Sequence, residues 1–254
     1  MNISLDDLLK GKATKINENI YFETEAYVTP FLERMQKITD DFEVRVETPK
    51  QRTLTEKTDD ITYNRVWIQA LMPESYTVEN HRDVIGMIYS LDKASKNIAK
   101  FYRGGLNQAC TNLCVFNPTY LSVQELKPKS AINYNPLDSL IDKANEIKVF
   151  LDKLSNMTFA NDDQNINESV GKWVRNCVDM TYNNGLLSHS ISSATAVKAY
   201  KLLFKDAKSQ YFINPDKNSN YFNIYNAFTD IISHDKDITN WCEKILLLND
   251  ILGI

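Results

Sequence analysis

The feature that most constrains the fold of this chain is a change in its hydrophobic pattern near Pro136. Before that residue, segments with helical periodicity are mixed with segments in which apolar and polar residues alternate. After it, apolar residues recur at helical spacing almost to the end of the chain. The pattern predicts an α+β protein with a small antiparallel sheet and helices in the N-terminal half, and an all-helical C-terminal half.

Two regions follow from this change, 1–135 with the sheet and 136–254 with the helices, as separate domains or as one continuous domain. The 254 residues are enough to bury a core in either arrangement. In the first region Phe42, Val44 and Val46 alternate with charged residues, which predicts a half-buried strand. Apolar spacing predicts helices over 24–40, 137–154, 168–180, 193–211, 221–232 and 238–252.

Composition and the chain start exclude several classes of protein. The formal net charge is −4, so the chain is not a generally basic coat for nucleic acid. The first residues include Asp6 and Asp7 where a secretory signal would have a basic start. The longest uncharged stretch, 104–124, contains several amide side chains and is too polar to span a membrane. We therefore expect a cytoplasmic protein with no membrane partner.

No sequence motif predicts a catalytic centre, a metal or a cofactor. There is no glycine-rich phosphate loop, no nucleophile elbow and no zinc-protease helix motif. Cys110 and Cys114 are four residues apart, but no second pair at ligand spacing follows them. The sequence thus favours a protein that is not an enzyme. A metal-dependent nuclease, with carboxylates such as Asp40 and Asp41 brought together by the fold, is a third hypothesis.

A local excess of positive charge predicts a first candidate site for nucleic acid. Between His81 and Lys129 there are seven basic side chains against three acidic ones, with aromatic residues interleaved. Cations that follow a phosphate backbone, together with aromatics that stack on bases, are what single-stranded nucleic acid requires. The alternative is a solvated hairpin whose aromatics lie in the core. The candidate residues are Lys93, Lys96, Lys100, Tyr102 and Arg103.

A second candidate for the same role is a basic stripe within the predicted helix 193–211. Lys198, Lys201, Lys205 and Lys208 are spaced by three, four and three residues, which places them on one helical face. The first three are our candidates for contacts with nucleic acid. The alternative is that the stripe is simply the solvent side of an amphipathic helix.

Two short motifs carry a resemblance to a known family. Arg103-Gly104-Gly105-Leu106 leads into a Cys-Thr-Asn step at 110–112, and Tyr-Asn-Ala-Phe-Thr-Asp at 225–230 is followed by His234. Both resemble the phage/plasmid-like family named domain of unknown function 932, in which a Glu stands at the position of Asp230. The resemblance implies an origin in a mobile element, and therefore a bacterial host cell. It implies no established activity and no set of catalytic residues.

The motif residues also have a physical interpretation of their own. Side chains such as Thr111 and Asn112 hydrogen-bond nearby backbone and fix turns, and buried amides such as Asn226 need partners. The default interpretation is structural pinning, and a contact with a ligand is the alternative. The residues concerned are Cys110, Thr111, Asn112, Tyr225, Asn226 and Thr229.

These observations lead to one preferred function and one alternative. The preferred function is that of a phage or plasmid accessory protein that binds single-stranded DNA during replication or recombination. The alternative is a non-enzymatic protein-binding module that inhibits a host defence or replication protein, or that binds another phage protein. It rests on the net acidity and on the missing catalytic motifs. A homo-oligomer is compatible with both, although no heptad seam is visible.

Overall fold

The computed structural model describes most of the chain, in segments. These are residues 2–10, 14–15, 21–22, 24–47, 65–78, 80–90, 98–108, 112–115, 117–126, 131–143, 146–159, 181–183, 188–213, 219–234 and 238–254. The helices within them are α1 (Leu5–Leu9), α2 (Thr24–Met35), α3 (Asn135–Ile141), α4 (Ile147–Asn156), α5 (Ser193–Phe204), α6 (Tyr221–Ser233) and α7 (Trp241–Leu252). Short 3-10 turns cover Glu74–Tyr76, Pro118–Tyr120 and Ile238–Asn240.

Strands occur in both halves of the chain. They are β1 (Thr14–Lys15), β2 (Tyr21–Phe22), β3 (Phe42–Glu47), β4 (Arg65–Leu71), β5 (Thr77–Val78), β6 (His81–Ser90), β7 (Ile98–Asn107), β8 (Asn112–Cys114), β9 (Leu121–Glu125), β10 (Thr158–Phe159), β11 (Thr181–Asn183), β12 (Ser188–Ser190) and β13 (Ser219–Asn220). The larger sheet has the order β3-β4-β6-β7-β8, and β5 and β9 pair with β6 and β7. With its antiparallel pairings and its helices, the chain is an α+β protein, as predicted.

The chain divides into two compact units that interleave along the sequence. The first comprises Met1–Thr77, Arg82–Gly104 and Thr119–Ala144, and the second comprises Val78–His81, Gly105–Pro118 and Asn145–Ile254. This division differs from the predicted boundary at Pro136. The reason is that β8, from the N-terminal half, packs against α6 from the C-terminal half. A change in hydrophobic periodicity along the sequence gives no information about a contact between residues so far apart in the chain.

In the first unit, the alternating residues of β3 behave as predicted. Val44 and Val46 are buried and Arg45 between them is half-exposed, whereas Phe42, at the start of the strand, is half-exposed too. Strand β3 pairs in antiparallel register with β4, from Phe42 opposite Ala70 to Glu47 opposite Arg65. The predicted helix 24–40 also forms, but it ends at Met35. The strands β4, β6 and β7 are buried along nearly their whole length.

The predicted helix 137–154 is two helices, α3 and α4. Arg103 caps the end of α3, because its Nη1 atom donates hydrogen bonds to the carbonyls of Leu140 and Ile141, at 3.0 and 3.3 Å. Carbonyls at a helix end lack partners within the helix, and a cation there satisfies them. The sequence pattern missed this break because the residue that caps α3 lies far away along the chain.

The prediction of an all-helical C-terminal half is wrong. Residues 158–220 contain two short antiparallel strand pairs, β10 with β13 and β11 with β12. The predicted helix 193–211 ends at Phe204, after which the backbone turns at 205–211. The predicted helix 168–180 lies outside the described residues.

The second unit has its core along α6 and α7. Helix α7 is buried on most of its surface, and α6 buries eight of its thirteen residues, among them the polar Asn226, Thr229 and Ser233. Among the described helices, none is both long enough and apolar enough to cross a membrane.

Candidate functional site

The described candidate residues of the basic segment between His81 and Lys129 do not lie at the surface. Lys100 and Tyr102 are fully buried, and Arg103 is 4% exposed. A side chain without solvent exposure offers no surface to a polymer in solution. Lys100, Tyr102 and Arg103 are therefore removed from the candidate nucleic-acid site. Lys93 and Lys96 lie outside the described residues.

Arg103 instead connects β7 to β6 and to the end of α3 within the first unit. Its Nε and Nη2 atoms donate to the two carboxylate oxygens of Asp83, at 3.2 and 2.5 Å, and its Nη1 atom also donates to the carbonyl of Lys143. Burial raises the pKa of Asp83, and the Arg103 guanidinium opposes that rise. A buried charge is tolerated only when it is paired and hydrogen-bonded, as it is here.

Tyr102 has an equally structural role. Its hydroxyl donates to Oε1 of Gln69 at 3.0 Å on β4, and its ring covers Gly86 on β6. A Cβ atom at Gly86 would lie 2.1 Å from Cζ of that ring, so only glycine leaves room for it.

On α5, three candidate lysines lie close together at the surface. Lys198, Lys201 and Lys205 are exposed. Lys198 and Lys201 lie on the helix, and Lys205 is the residue that follows its last turn. Lys208 is also exposed, but it lies in the turns beyond the helix and so does not continue the stripe.

Aromatic side chains lie beside this stripe. The rings of Tyr200 and Phe204 have centroids 5.3 Å apart, and Nζ of Lys205 lies 5.8 Å from the centroid of Tyr200. Both rings are partly exposed, and Val197 is 46% exposed on the same helix. The helix thus presents a strip of cations next to a strip of apolar groups.

The motif residues of the second unit form a buried polar network. Nδ2 of Asn112 donates to Oη of Tyr211 at 3.2 Å and to the carbonyl of Asn226 at 3.1 Å. The side-chain Nδ2 of Asn226 donates to the backbone carbonyl of Phe222 at 2.9 Å. The hydroxyl of Thr229 donates to the backbone carbonyl of Asn226 at 3.2 Å. The network connects β8 to α6, which supports structural pinning for these residues.

Tyr225 belongs to the same buried region. Its ring packs edge-on against Phe150, with centroids 5.3 Å apart, and burial raises its pKa well above the ordinary value. Its phenol therefore stays protonated over the physiological range. Cys110 and Thr111, the other two motif residues, lie outside the described residues.

The polar face of α6 carries a feature that the sequence analysis did not single out. Asp230 and His234 are four residues apart on this helix, and Nδ1 of His234 lies 2.7 Å from the carbonyl oxygen of Asp230 and 3.0 Å from its Oδ1. Burial raises the pKa of Asp230, and His234 opposes that rise. The sequence signal for this pair is the four-residue spacing of an acid and a histidine at the end of the predicted helix 221–232.

This pair lines a cleft of about 590 Å³. Its remaining lining residues come from the start of α5 and from α6: Ser192, Ala194, Thr195, Lys198 and Ile231. Ser192 caps α5, because its Oγ atom accepts the amide hydrogen of Thr195 at 3.2 Å. Within the described residues, no group of three or more His, Cys, Asp and Glu side chains is arranged to hold a metal ion.

Comparison with known proteins yields no match: no family model, no curated protein and no solved structure matches this chain. The resemblance to the family of domain of unknown function 932 thus rests on the two motifs alone. It stays a prediction.

Proposed function

We propose that this chain is a mobile-element accessory protein that binds single-stranded DNA through the exposed face of α5. The observation that carries the proposal is the adjacency of a cationic strip and an aromatic strip on that helix. The proposed site is the second of the two candidate sites found in the sequence. The described candidates of the first site, Lys100, Tyr102 and Arg103, are buried and are not part of it.

Helix geometry sets the two strips side by side. At about 100° per residue, Lys198, Lys201 and Lys205 fall within about 60° of one another around the axis. By the same spacing of about 100°, Val197, Tyr200 and Phe204 fall within a neighbouring arc of about 60°. The lysines extend about 10 Å along the helix, at about 1.5 Å per residue.

Each strip suits one part of a single strand. Lysine ammonium groups neutralise phosphates and release their counterions, which makes binding sensitive to salt. Tyr200 and Phe204 can stack on bases, and each stacked base is worth about 1–3 kcal/mol. Bases inside a duplex are already stacked on each other, so the aromatic strip favours single strands.

The experiment is a fluorescence anisotropy titration of a labelled oligonucleotide, single- and double-stranded, at low and moderate salt. We expect micromolar binding that prefers the single strand. The double variant Lys201→Glu with Lys205→Glu should weaken it by at least about tenfold, because two attractive charges become repulsive. The matched control is Lys148→Glu with Lys153→Glu on α4, since these are exposed lysines of the same unit and the net charge changes equally.

The outcomes are distinct. Loss of binding in the α5 variant but not in the α4 variant supports the proposal. Equal effects in both would show that only net charge matters, and would remove α5 as the site. No binding by the unmodified protein at low salt would overturn DNA binding and favour the protein-binding alternative.

A further inference from the structure

The cleft beside the basic stripe combines groups that the proposed function leaves unused. It lies between the first turns of α5 and the last turn of α6, and it opens next to Lys198. Its lining carries an imidazole, an ammonium and two hydroxyl groups within one space of about 590 Å³. That set of donors is suited to an anion.

The tautomer of His234 is fixed by its neighbours. Nδ1 faces two acceptors, the carbonyl oxygen and the carboxylate of Asp230, at 2.7 and 3.0 Å. An acceptor pair requires a hydrogen on Nδ1 in both the neutral and the charged ring. When the ring is charged, its second hydrogen is therefore on Nε2. The side chain is 51% exposed, and Nε2 is the ring nitrogen that does not contact Asp230.

The charged groups around His234 are few. Of the described residues that line the cleft, Lys198 from α5 and Asp230 from α6 itself are the ones that carry a charge at neutral pH. Asp230 is already hydrogen-bonded to His234. With His234 protonated, the lining carries two cations and one paired carboxylate.

The hydroxyl groups add one more donor. Oγ of Ser192 and Oγ1 of Thr195 lie 2.9 Å apart, and either can donate to the other. Two hydroxyls carry two hydrogens, and the bond between them uses one. The other hydrogen is available to an anion in the cleft.

We propose that this cleft binds a phosphomonoester group, held by the ammonium of Lys198, the imidazolium of His234 and a hydroxyl of Ser192 or Thr195. A phosphomonoester carries a charge of about −1.5 to −2 at neutral pH, with a second pKa of about 6. Two cations and one carboxylate give the lining a net charge of +1, which attracts this group more strongly than it attracts the single negative charge of a phosphodiester. The inference rests on the proposed function in one respect: Lys198 also begins the α5 stripe, so the natural source of the group is the terminal phosphate of a bound strand. A free nucleotide offers the same chemistry.

The first test uses inorganic phosphate as the probe and needs no strand. Histidine ring signals are followed by NMR against pH in the full-length protein, and His234→Gln assigns the signal of His234. Phosphate should raise the pKa of His234 by about half a unit or more, because a bound anion favours the imidazolium. An unchanged titration curve in saturating phosphate would overturn the inference.

The second test compares oligothymidylates that have a 5′-phosphate, a 3′-phosphate or no terminal phosphate, at pH 6 and pH 8. We expect one phosphorylated strand to bind about fivefold tighter at pH 6, in line with one charge-assisted contact, and the advantage to shrink at pH 8. His234→Gln should abolish the advantage. Lys205→Gln, which lies outside the cleft, should weaken all strands alike and keep it.

The two proposals fail in different ways. If all three strands bind equally at pH 6 and the α5 variants still lose binding, the cleft proposal is overturned and the proposed function stands. If no strand binds but inorganic phosphate and thymidine 5′-monophosphate both shift His234, the cleft binds free phosphomonoesters and the DNA function is overturned.

Discussion

Arg103 and Asp83 form a buried ion pair that connects neighbouring strands of the first unit, with Nη2 of the arginine 2.5 Å from Oδ2 of the aspartate. The same guanidinium donates to the carbonyls of Leu140 and Ile141 at the end of α3. One side chain therefore connects β7 to β6 and caps the end of a helix. The Asp83 side chain is only 1% exposed, so water cannot replace the guanidinium there.

Arg103→Met should be strongly destabilising. It leaves the Asp83 carboxylate buried without its cation, and it leaves the α3 carbonyls without their donor. Breaking a buried pair from one side costs about 3–5 kcal/mol. Urea unfolding followed by circular dichroism measures it. Arg103→Lys should be intermediate, since it keeps the charge but not the forked geometry.

Arg34→Met is the control for this prediction. Arg34 pairs with Asp138 at 2.8 Å, but the two side chains are 30% and 49% exposed. A pair in contact with water contributes about 1 kcal/mol or less. A cost for Arg103→Met no greater than that for Arg34→Met would contradict the structural role of the buried pair.

Gly86→Ala should destabilise the sheet by displacing Tyr102. The new Cβ would overlap the tyrosine ring, which is buried and has no space to move into. Overpacking of this kind costs about 1–3 kcal/mol. The double variant with Tyr102→Leu should lose less than the sum of the two single variants, because the clash is removed with the ring. Additive losses in thermal unfolding would show that the two residues do not interact.

Asn112→Asp tests hydrogen-bond donation in the second unit with almost no change in shape. Nδ2 of Asn112 donates to the carbonyl oxygen of Asn226, and a carboxylate in its place would face that oxygen without a hydrogen. We expect a loss of at least about 2–3 kcal/mol at neutral pH. The loss should be greater than for Asn112→Ala, and smaller in acid, where the new carboxyl is protonated. Equal stabilities of the Asp and Ala variants at pH 7 would argue against the bond.

Glu43→Gln should stabilise the protein at neutral pH but not in acid. Burial raises the pKa of Glu43 in the folded state, and Arg45 opposes that rise. The folded state therefore holds the proton more tightly than the unfolded state does. The contribution of Glu43 to the free energy of unfolding is fully present below the pKa of the unfolded state. It is lost as the pH rises through the pKa of the folded state. Glutamine imitates the protonated form, so unfolding curves of the two proteins should agree near pH 4 and separate by pH 7. A difference that does not change with pH would contradict the raised pKa.

Local patterns predicted much of the fold because they report local burial. The alternation in β3 and the helical spacing in α6 and α7 each arise from one face of an element meeting a core. The break between α3 and α4 was not predictable in this way. It depends on Arg103, a residue that reaches α3 from a strand more than thirty positions earlier.

The charge count was wrong about Arg103 for a related reason. Counting basic residues between His81 and Lys129 assumes that each charge is solvated, whereas Arg103 is paired inside the protein with an acid of the same segment. The stripe on α5 was predictable because exposure follows directly from its position opposite the buried Ala196, Ala199 and Leu203. The pairing of Asp230 with His234 was predictable from spacing, but the cleft that they line was not, since it is formed with a second helix.

Stacking and charge contribute differently to DNA binding by α5, and two variants separate them. Tyr200→Leu removes a stacking ring and keeps every charge, so affinity for a single strand should fall by about tenfold while the slope of log K against log salt stays the same. Lys201→Gln removes one phosphate contact, so the slope should become shallower by about 0.7. Anisotropy titrations at four or more salt concentrations measure both quantities. If Tyr200→Leu leaves the affinity unchanged while Lys201→Gln changes the slope, the strand is held by its phosphates alone, and the preference for single strands over duplexes should disappear with it.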